Sequence, residues 1–423
     1  MRVKYDISVL GASVVNPRAR TGVFRVVEQL VQQLSTRPEV ELEFSALFYP
    51  SGAVQYRDSS PSLAGIPLYY PGPLLKVETA KSDLSRMSKE HGFPAKQGLK
   101  VARELVGVAQ QLLKRLYRDA QQRSLQSCDI FHSPFHPLPA GLGGCQKFIT
   151  VYDLIPILFP QYFEFREDHL LNQVMASIDQ DTWVFCISEA TKNDLLNHNP
   201  RVDADKVAVV PLGASSLFYR CDDQADLRRV RRQYGIPEGP YFLSVATLEP
   251  RKNIESTIKA FVRLVREEKL ADCSLVLAGA KGWDFDRIFQ EIAGAKGLEE
   301  RIIVTGYVED DDLAPLYSGA LAFVYPSHYE GFGLPPLEAM QCGTPVISSN
   351  TSSLPEVVGE AGIQVAPLDN DALCQAMLQL FNDGALREQL AGRSRRRATL
   401  FSWEACADVT INHYRRALSQ SGS

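Results

Sequence analysis

Residues 325–350 read "YPSHYEGFGLPPLEAMQCGTPVISSN". Two apolar runs that read as β-strands, "LAFVYPS" and "TPVISSN", enclose Gly331, Gly333, the adjacent Pro335 and Pro336, and two glutamates eight residues apart, Glu330 and Glu338. Proline suits the first positions of a helix, where its missing N–H costs nothing. The stretch therefore reads strand, loop, helix, strand, with Glu330 on the loop and Glu338 in or near the first helical turn, both facing one cleft. A purely structural loop rarely needs all of these residues, so the spacing asks for a ligand. Glycines let the backbone approach a ligand closely, and amides beside a helix N-terminus donate to anionic oxygens, which suits a diphosphate. Carboxylates repel phosphate, so the two glutamates read as acceptors for hydroxyls of a sugar or ribose.

The surrounding chain repeats the pattern. "YFLSVATLEPRKN", "CSLVLAGAKGW" and "RIIVTGYV" each put an apolar strand before a helical stretch, and "IQVAP" precedes two helices and a last one from Trp403. In "TLEPRKN", Thr247 and Glu249 precede Arg251 and Lys252 just past a strand; two cations there fit a pyrophosphate, and an exposed pair with no partner or a salt bridge to Glu249 are the alternatives. The first half opens with the strand "DISVLG", a glycine turn "ARTGVFRVV" and a helix through Val23, Val26, Val27, Leu30, Val31 and Leu34. "VELEFSALFY", "CDIFHSPFH", "KFITVYDLIP" and "WVFCISEATKNDLL" follow, with Ser188 as an N-cap. This alternation specifies an α/β protein with parallel sheets and helices on both faces. Glycines and prolines at 211–240 break the periodicity. We therefore expect two doubly wound, Rossmann-like domains, 1–215 and 216–402, facing a central cleft, and a C-terminal helix over 403–423 packing back toward the first domain. Residues 50–98, rich in Pro, Gly, Ser and Tyr, are expected to form an irregular excursion.

Composition narrows the function. The 423 residues carry a net charge of -5, with +1 in residues 1–215 and -6 in the remainder, so neither half offers a nucleic-acid groove. No apolar run is long enough to span a bilayer, and "MRVKYDISVLGASVV" lacks a signal peptide's pattern. The eight scattered cysteines, without a C-x-x-C pair, read as reduced thiols of a cytoplasmic protein. "DQD" at 179–181 and "DAD" at 203–205 sit wrongly for metal binding. "EDDDLA" at 309–314 is the acidic start of a helix. The helix at 99–123 sets Lys100, Arg103, Lys114, Arg115, Arg118 and Arg123 beside a stripe of Val101, Leu105, Val108, Leu112 and Leu116. Packing of that stripe on its own domain is favoured over docking on anionic lipid, and peripheral membrane contact stays open.

"EGFGLPPLE" resembles the E-x7-E signature of family 4 glycosyltransferases of the GT-B fold, and "LEPRKN", "GYVEDDDLAPLY" and "EAMQCGTPVISSN" match that family's other landmarks in order. The likeness covers residues 241–368 well and the N-terminal half more loosely, and is greatest to bacterial mannosyltransferases of polysaccharide assembly. It implies a retaining, metal-independent hexosyltransferase without a cofactor, taking a nucleotide-sugar donor (GDP-mannose preferred, a UDP-sugar or GDP-fucose open) and a glycan or lipid-linked acceptor. By the resemblance, Arg251 and Lys252 neutralise the diphosphate, Glu338 binds ribose and Glu330 contacts the donor sugar. Gly331, Phe332, Gly333 and Leu334 bring the loop against sugar and phosphates, and Gly22 lets the first domain approach the diphosphate. Thr247 lies on the donor side, and Thr305 to Val308 line the base pocket. Tyr152 replaces a histidine that many relatives place beside the donor sugar, with Asp153 kept; His132, His136, Tyr152 and Asp153 are the cleft candidates. A nucleotide-sugar epimerase or phosphorylase on the same architecture, or a non-catalytic sugar-nucleotide binding protein, are the competing readings.

Overall fold

The computed structural model describes the whole chain except residues 17–21, 91–92, 163–168, 269, 271, 283 and 422–423. Six strands form the first sheet: β1 (Arg2–Asp6), β2 (Glu41–Ser45), β3 (Ile130–Ser133), β4 (Gln146–Val151), β5 (Thr182–Cys186) and β6 (Val207–Val209). Their order is β2-β1-β3-β4-β5-β6, with every pairing parallel. The second sheet holds β7 (Tyr241–Val245), β8 (Ser274–Ala278), β9 (Ile302–Gly306), β10 (Ala322–Tyr325), β11 (Val346–Ser349) and β12 (Gly362–Val365), in the order β12-β11-β10-β7-β8-β9. Strands such as β5 and β8 are buried along their whole length, as parallel strands covered on both faces must be. In each sheet the order reverses once, between β1 and β3 and between β7 and β10. Open parallel sheets bind ligands outside the carboxyl ends of the strands at such a reversal.

The chain passes between the sheets near residues 210–215 and returns near 398–403. The two passages touch: Ala214 N donates to Phe401 O at 3.3 Å, and a Cβ on Gly213 would lie 2.4 Å from Trp403 N. The helix Trp403–Ser421 then lies on the first sheet's side, where Tyr414 meets His132 and Asp408 pairs with Arg37.

Three local readings are corrected. The first strand ends at Asp6, and "SVLGASVV" is a helix, α1 (Ser8–Val15), not a strand continuation. Asp6 Oδ1 accepts from Ser8 Oγ and Leu47 N, which turns the chain at the strand end. α1 is held by backbone contact with α3 (Pro50–Ser59): a Cβ on Gly52 would lie 2.2 Å from Gly11 O, and one on Gly11 2.6 Å from Tyr49 O. Next comes α2 (Gly22–Ser35); residues 17–21 of the glycine turn before it lie outside the described residues.

The second correction is that residues 50–98 are mostly helical: α3, α4 (Gly72–Glu90) and the start of α5 (Phe93–Leu116), followed by α6 (Arg118–Leu125). Pro50, Pro73 and Pro94 all sit in first turns, where proline is harmless. The third concerns the stripe Val101, Leu105, Val108, Leu112 and Leu116, which faces solvent instead of packing on its own domain. α5 meets α4 through its other side, where Leu99, Ala102, Val106 and Leu113 are half-buried and Gln110 is buried between Lys81 and Glu78. Among the described residues no helix is long and apolar enough to cross a membrane.

Candidate active site

The reversal of the second sheet brings two loops together. β7 leads into the short turn Pro250–Lys252, and β10 into the loop that carries Glu330 and ends at the helix Leu334–Gln341. Arg251 Nη1 lies 2.9 Å from Glu330 Oε2, and Lys252 Nζ 2.7 Å from Glu330 Oε1. Arg251 Nη2 also pairs with Glu249 Oε1 at 2.7 Å. Oε1 of Glu330 further accepts from Ser327 Oγ (2.6 Å) and Tyr325 OH (2.9 Å). Two cations and two carboxylates thus neutralise one another in a largely buried cluster. Burial alone would raise the Glu330 carboxyl, but Lys252 and Arg251 outweigh it and hold it at about 2. Burial pulls the Lys252 ammonium below its ordinary value, against the attraction of Glu330.

The loop after Glu330 is pinned by hydroxyls. Ser353 Oγ shares its one proton between the carbonyls of Glu330 (2.9 Å) and Phe332 (2.6 Å), and Ser188 Oγ donates to Gly331 O at 2.7 Å. Three successive carbonyls held from outside fix the peptide planes, and hence the amides of Gly331, Phe332 and Gly333 at the helix N-terminus. Gly331 must be glycine: a Cβ would stand 2.6 Å from Tyr152 O and 2.9 Å from the Cβ of Asp153, so the loop presses on the end of β4. Gly333 adopts φ +126, and Leu334 opens the helix. Glu338, half-buried on that helix, accepts from Tyr317 OH at 3.1 Å. Its carboxyl is pushed up to about 7 by burial, against the pull of Arg25 from α2.

Other contacts cross the cleft. Glu356 accepts from the amides of Glu189 (2.8 Å) and Ala190 (2.9 Å), at the N-terminus of the helix Glu189–His198 that Ser188 caps. Tyr329 OH donates to Asp194 at 2.8 Å, and Arg25 meets Asp310 at 2.5 Å.

The remaining candidates separate into cleft and core. Asp153, half-buried beside Gly331, accepts from Ile155 N at 3.0 Å, and burial raises its carboxyl. His136 lies at the reversal of the first sheet, its Nδ1 3.4 Å from Asp6 Oδ2 and its ring stacked on the exposed Phe48. Gly22 is exposed at the start of α2, with open space where a Cβ would be. Thr247 is exposed beyond β7. At the end of β9, Thr305 is half-buried and Val308 buried.

Two cleft candidates are corrected. His132 is fully buried, its Nδ1 2.6 Å from Tyr414 OH and its Nε2 2.9 Å from Thr150 Oγ1, and burial drives its imidazole down to about 3, so it is a neutral core residue. Tyr152 turns its ring toward Phe135, and its buried hydroxyl borders a small internal void with Tyr5, Thr150 and Cys406. Only its carbonyl, which accepts from Thr191 Oγ1 at 3.0 Å, faces the glycine loop. Tyr325, Ser327, Thr191, Ser353 and Glu356 are supports not anticipated from the sequence, and Ser188, expected as an N-cap, also holds Gly331 O. The dense hydroxyls of "SNTSSLPE" and "SEATKN" were the available signal.

Two parallel-sheet domains of this topology, with a charged cleft between their reversals, define the GT-B architecture. The family model described as "Glycosyl transferases group 1" matches residues 227–397. The chain is 36% identical over 288 residues to the O-antigen chain mannosyltransferase B of Escherichia coli, covering 68% of this chain and 74% of that one. It is 31% identical over 290 residues to the serotype-specific mannosyltransferase WbdA of the same organism, there covering 67% of this chain but 35% of the longer relative. Anabaena HepE, solved with UDP and glucose, shares the fold over 100% of both chains at 15% identity and a TM-score of 0.66. The chain belongs to the group 1 glycosyltransferases.

Proposed function

We propose that this glycosyltransferase moves a mannosyl residue from GDP-mannose to a hydroxyl of a growing glycan or lipid-linked saccharide, with retention of configuration and without a metal. The observation that carries the reading is the Arg251–Lys252–Glu330 cluster at the reversal of the second sheet. The mannosyltransferase relatives support the sugar. Departure of the nucleoside diphosphate builds negative charge on its β-phosphate, which preorganised cations stabilise at the moment of bond breaking. Arg251 offers a planar fork and Lys252 a point charge, both oriented by Glu330. The amides of Gly331, Phe332 and Gly333 add fixed dipoles beside the phosphates.

Glu330 Oε2 takes Arg251 as its partner while Oε1 takes three, so Oε2 keeps a lone pair for a hydroxyl of the donor sugar. Glu338 accepts ribose hydroxyls, and Thr305 to Val308 border the base. Asp153 and His136, on the first domain's wall, face the acceptor. In retention the departing phosphate takes the acceptor's proton on the face where the new bond forms, so no separate base is needed. The reaction is placed in the cytoplasm, where sugar nucleotides are made. Incubation with GDP-mannose and a mannose oligosaccharide in EDTA, followed by mass spectrometry and NMR of the product, tests all of this. Growth by one hexose with an α-anomeric linkage is expected; no transfer, or transfer only with added metal, refutes it.

A further inference from the structure

Among the described residues, the insertion between β2 and β3 leaves an apolar face of α5 exposed. On α5, Val101, Leu105, Val108, Leu112 and Leu116 are 55, 67, 57, 60 and 73% exposed. Their spacing of four, three, four and four residues places them on one side of the helix. The 24-residue helix is about 36 Å long at 1.5 Å per residue, so the stripe runs most of its length. Burial against its own fold does not explain these residues, because α5 already meets α4 through a second apolar side.

Charge says what covers the stripe. Residues 72–125 hold eleven Lys and Arg against five Asp and Glu, a net of +6 in a chain whose total is -5. Lys100, Arg103 and Arg115 are exposed on α5, and Arg118 and Arg123 are exposed on α6, which follows it directly. Apolar side chains along one side of a helix, with long cationic chains beside them, match the boundary between acyl chains and anionic headgroups. A second copy would bring one +6 surface against another, which opposes self-association through this face.

We propose that α5 docks this protein on the surface of an anionic lipid bilayer, the stripe entering the acyl boundary and the arginines and lysines meeting lipid phosphates. Docking involves neither the donor cluster nor turnover, so it stands or falls separately from the proposed transferase reaction.

The test is flotation of the full chain with vesicles of phosphatidylcholine alone and of phosphatidylcholine with phosphatidylglycerol, at low and high salt. Binding to the anionic vesicles that weakens with salt is expected. Leu105→Ser with Leu112→Ser should weaken it at least ~10-fold, and Arg115→Gln with Arg118→Gln by about fivefold per cation. All four positions are exposed, so thermal midpoints should stay at the wild-type value; the charge pair gives an independent reading if the serine pair does not fold. Failure to float with anionic vesicles overturns the proposal. So does wild-type binding by both double variants, or a lipid-independent dimer that the serine pair dissociates.

Discussion

Replacing Glu330 by glutamine keeps the size of the side chain and removes the charge that Arg251 and Lys252 share. At 2.7–2.9 Å and an effective dielectric of about 20, each attraction is about 6 kcal/mol before desolvation. Most of that offsets the burial of the ions, and removing one partner of a buried pair costs about 3–5 kcal/mol net. The depressed carboxyl gives an independent figure: a fall from 4.5 to about 2 corresponds to about 3 kcal/mol at neutral pH. Since the folded value lies below the unfolded one, this stabilisation is present above pH 4.5 and is lost as pH falls toward 2. At about 2–4 °C per kcal/mol for a domain of this size, the second domain's melting midpoint should drop by about 6–20 °C at pH 7. The deficit should shrink toward pH 4. Two buried cations are then left with Glu249 in contact and Asp153 at longer range, so GDP should raise the variant's midpoint more than the wild type's while transfer is lost. A midpoint within 2 °C of wild type at pH 7, or a smaller GDP effect in the variant, would show that Glu330 does not neutralise the two cations.

Other substitutions probe the supports. Gly331→Ala would set a methyl 2.6 Å from Tyr152 O; the loop must shift, and kcat should fall at least ~10-fold for a displacement near 1 Å, read by steady-state kinetics. Glu356→Ala removes the acceptor of two helix-end amides across the cleft, so stability should drop by about 1 kcal/mol and the donor KM should rise, both measurable on one preparation. With its carboxyl raised to about 7, Glu338 is half protonated near neutrality; if ribose hydroxyls prefer the ionised form, donor Kd should rise up to tenfold per pH unit below 7 in titration calorimetry. The same shift contributes stability that declines as pH rises from about 4.5 to 7, opposite in sign to Glu330.

The second sheet and its loops are the part most directly readable from sequence, because most of its strands are short apolar runs with a glycine or proline close behind and the loops after β7 and β10 carry their charged residues and glycines within a few positions. The first domain is less so. "ISVLG" is compatible with strand or helix, and what turns it into a helix is the crossing of Gly11 with Gly52, some forty residues away. The prolines at 50, 73 and 94 suggest irregular chain unless each is placed in a first helical turn, the argument that read Pro335 and Pro336 correctly. The amphipathic stripe of α5 was plain in the sequence, but which of its two apolar sides is covered depends on α4. His132 and Tyr152 end or follow strands that lead to the cleft, yet their side chains point inward. Alternation along a strand assigns a face and does not tell core from cleft where the strand runs out.

In the proposed reaction Arg251 and Lys252 hold the diphosphate of a guanine nucleotide-sugar. Calorimetric titration of wild type and Lys252→Ala with GDP, UDP and ADP in EDTA tests it most directly. GDP is expected to bind most tightly to the wild type, unaffected by the chelator, and at least ~10-fold more weakly to the variant. Equal binding of GDP by both proteins, or a preference for UDP or ADP, would contradict it.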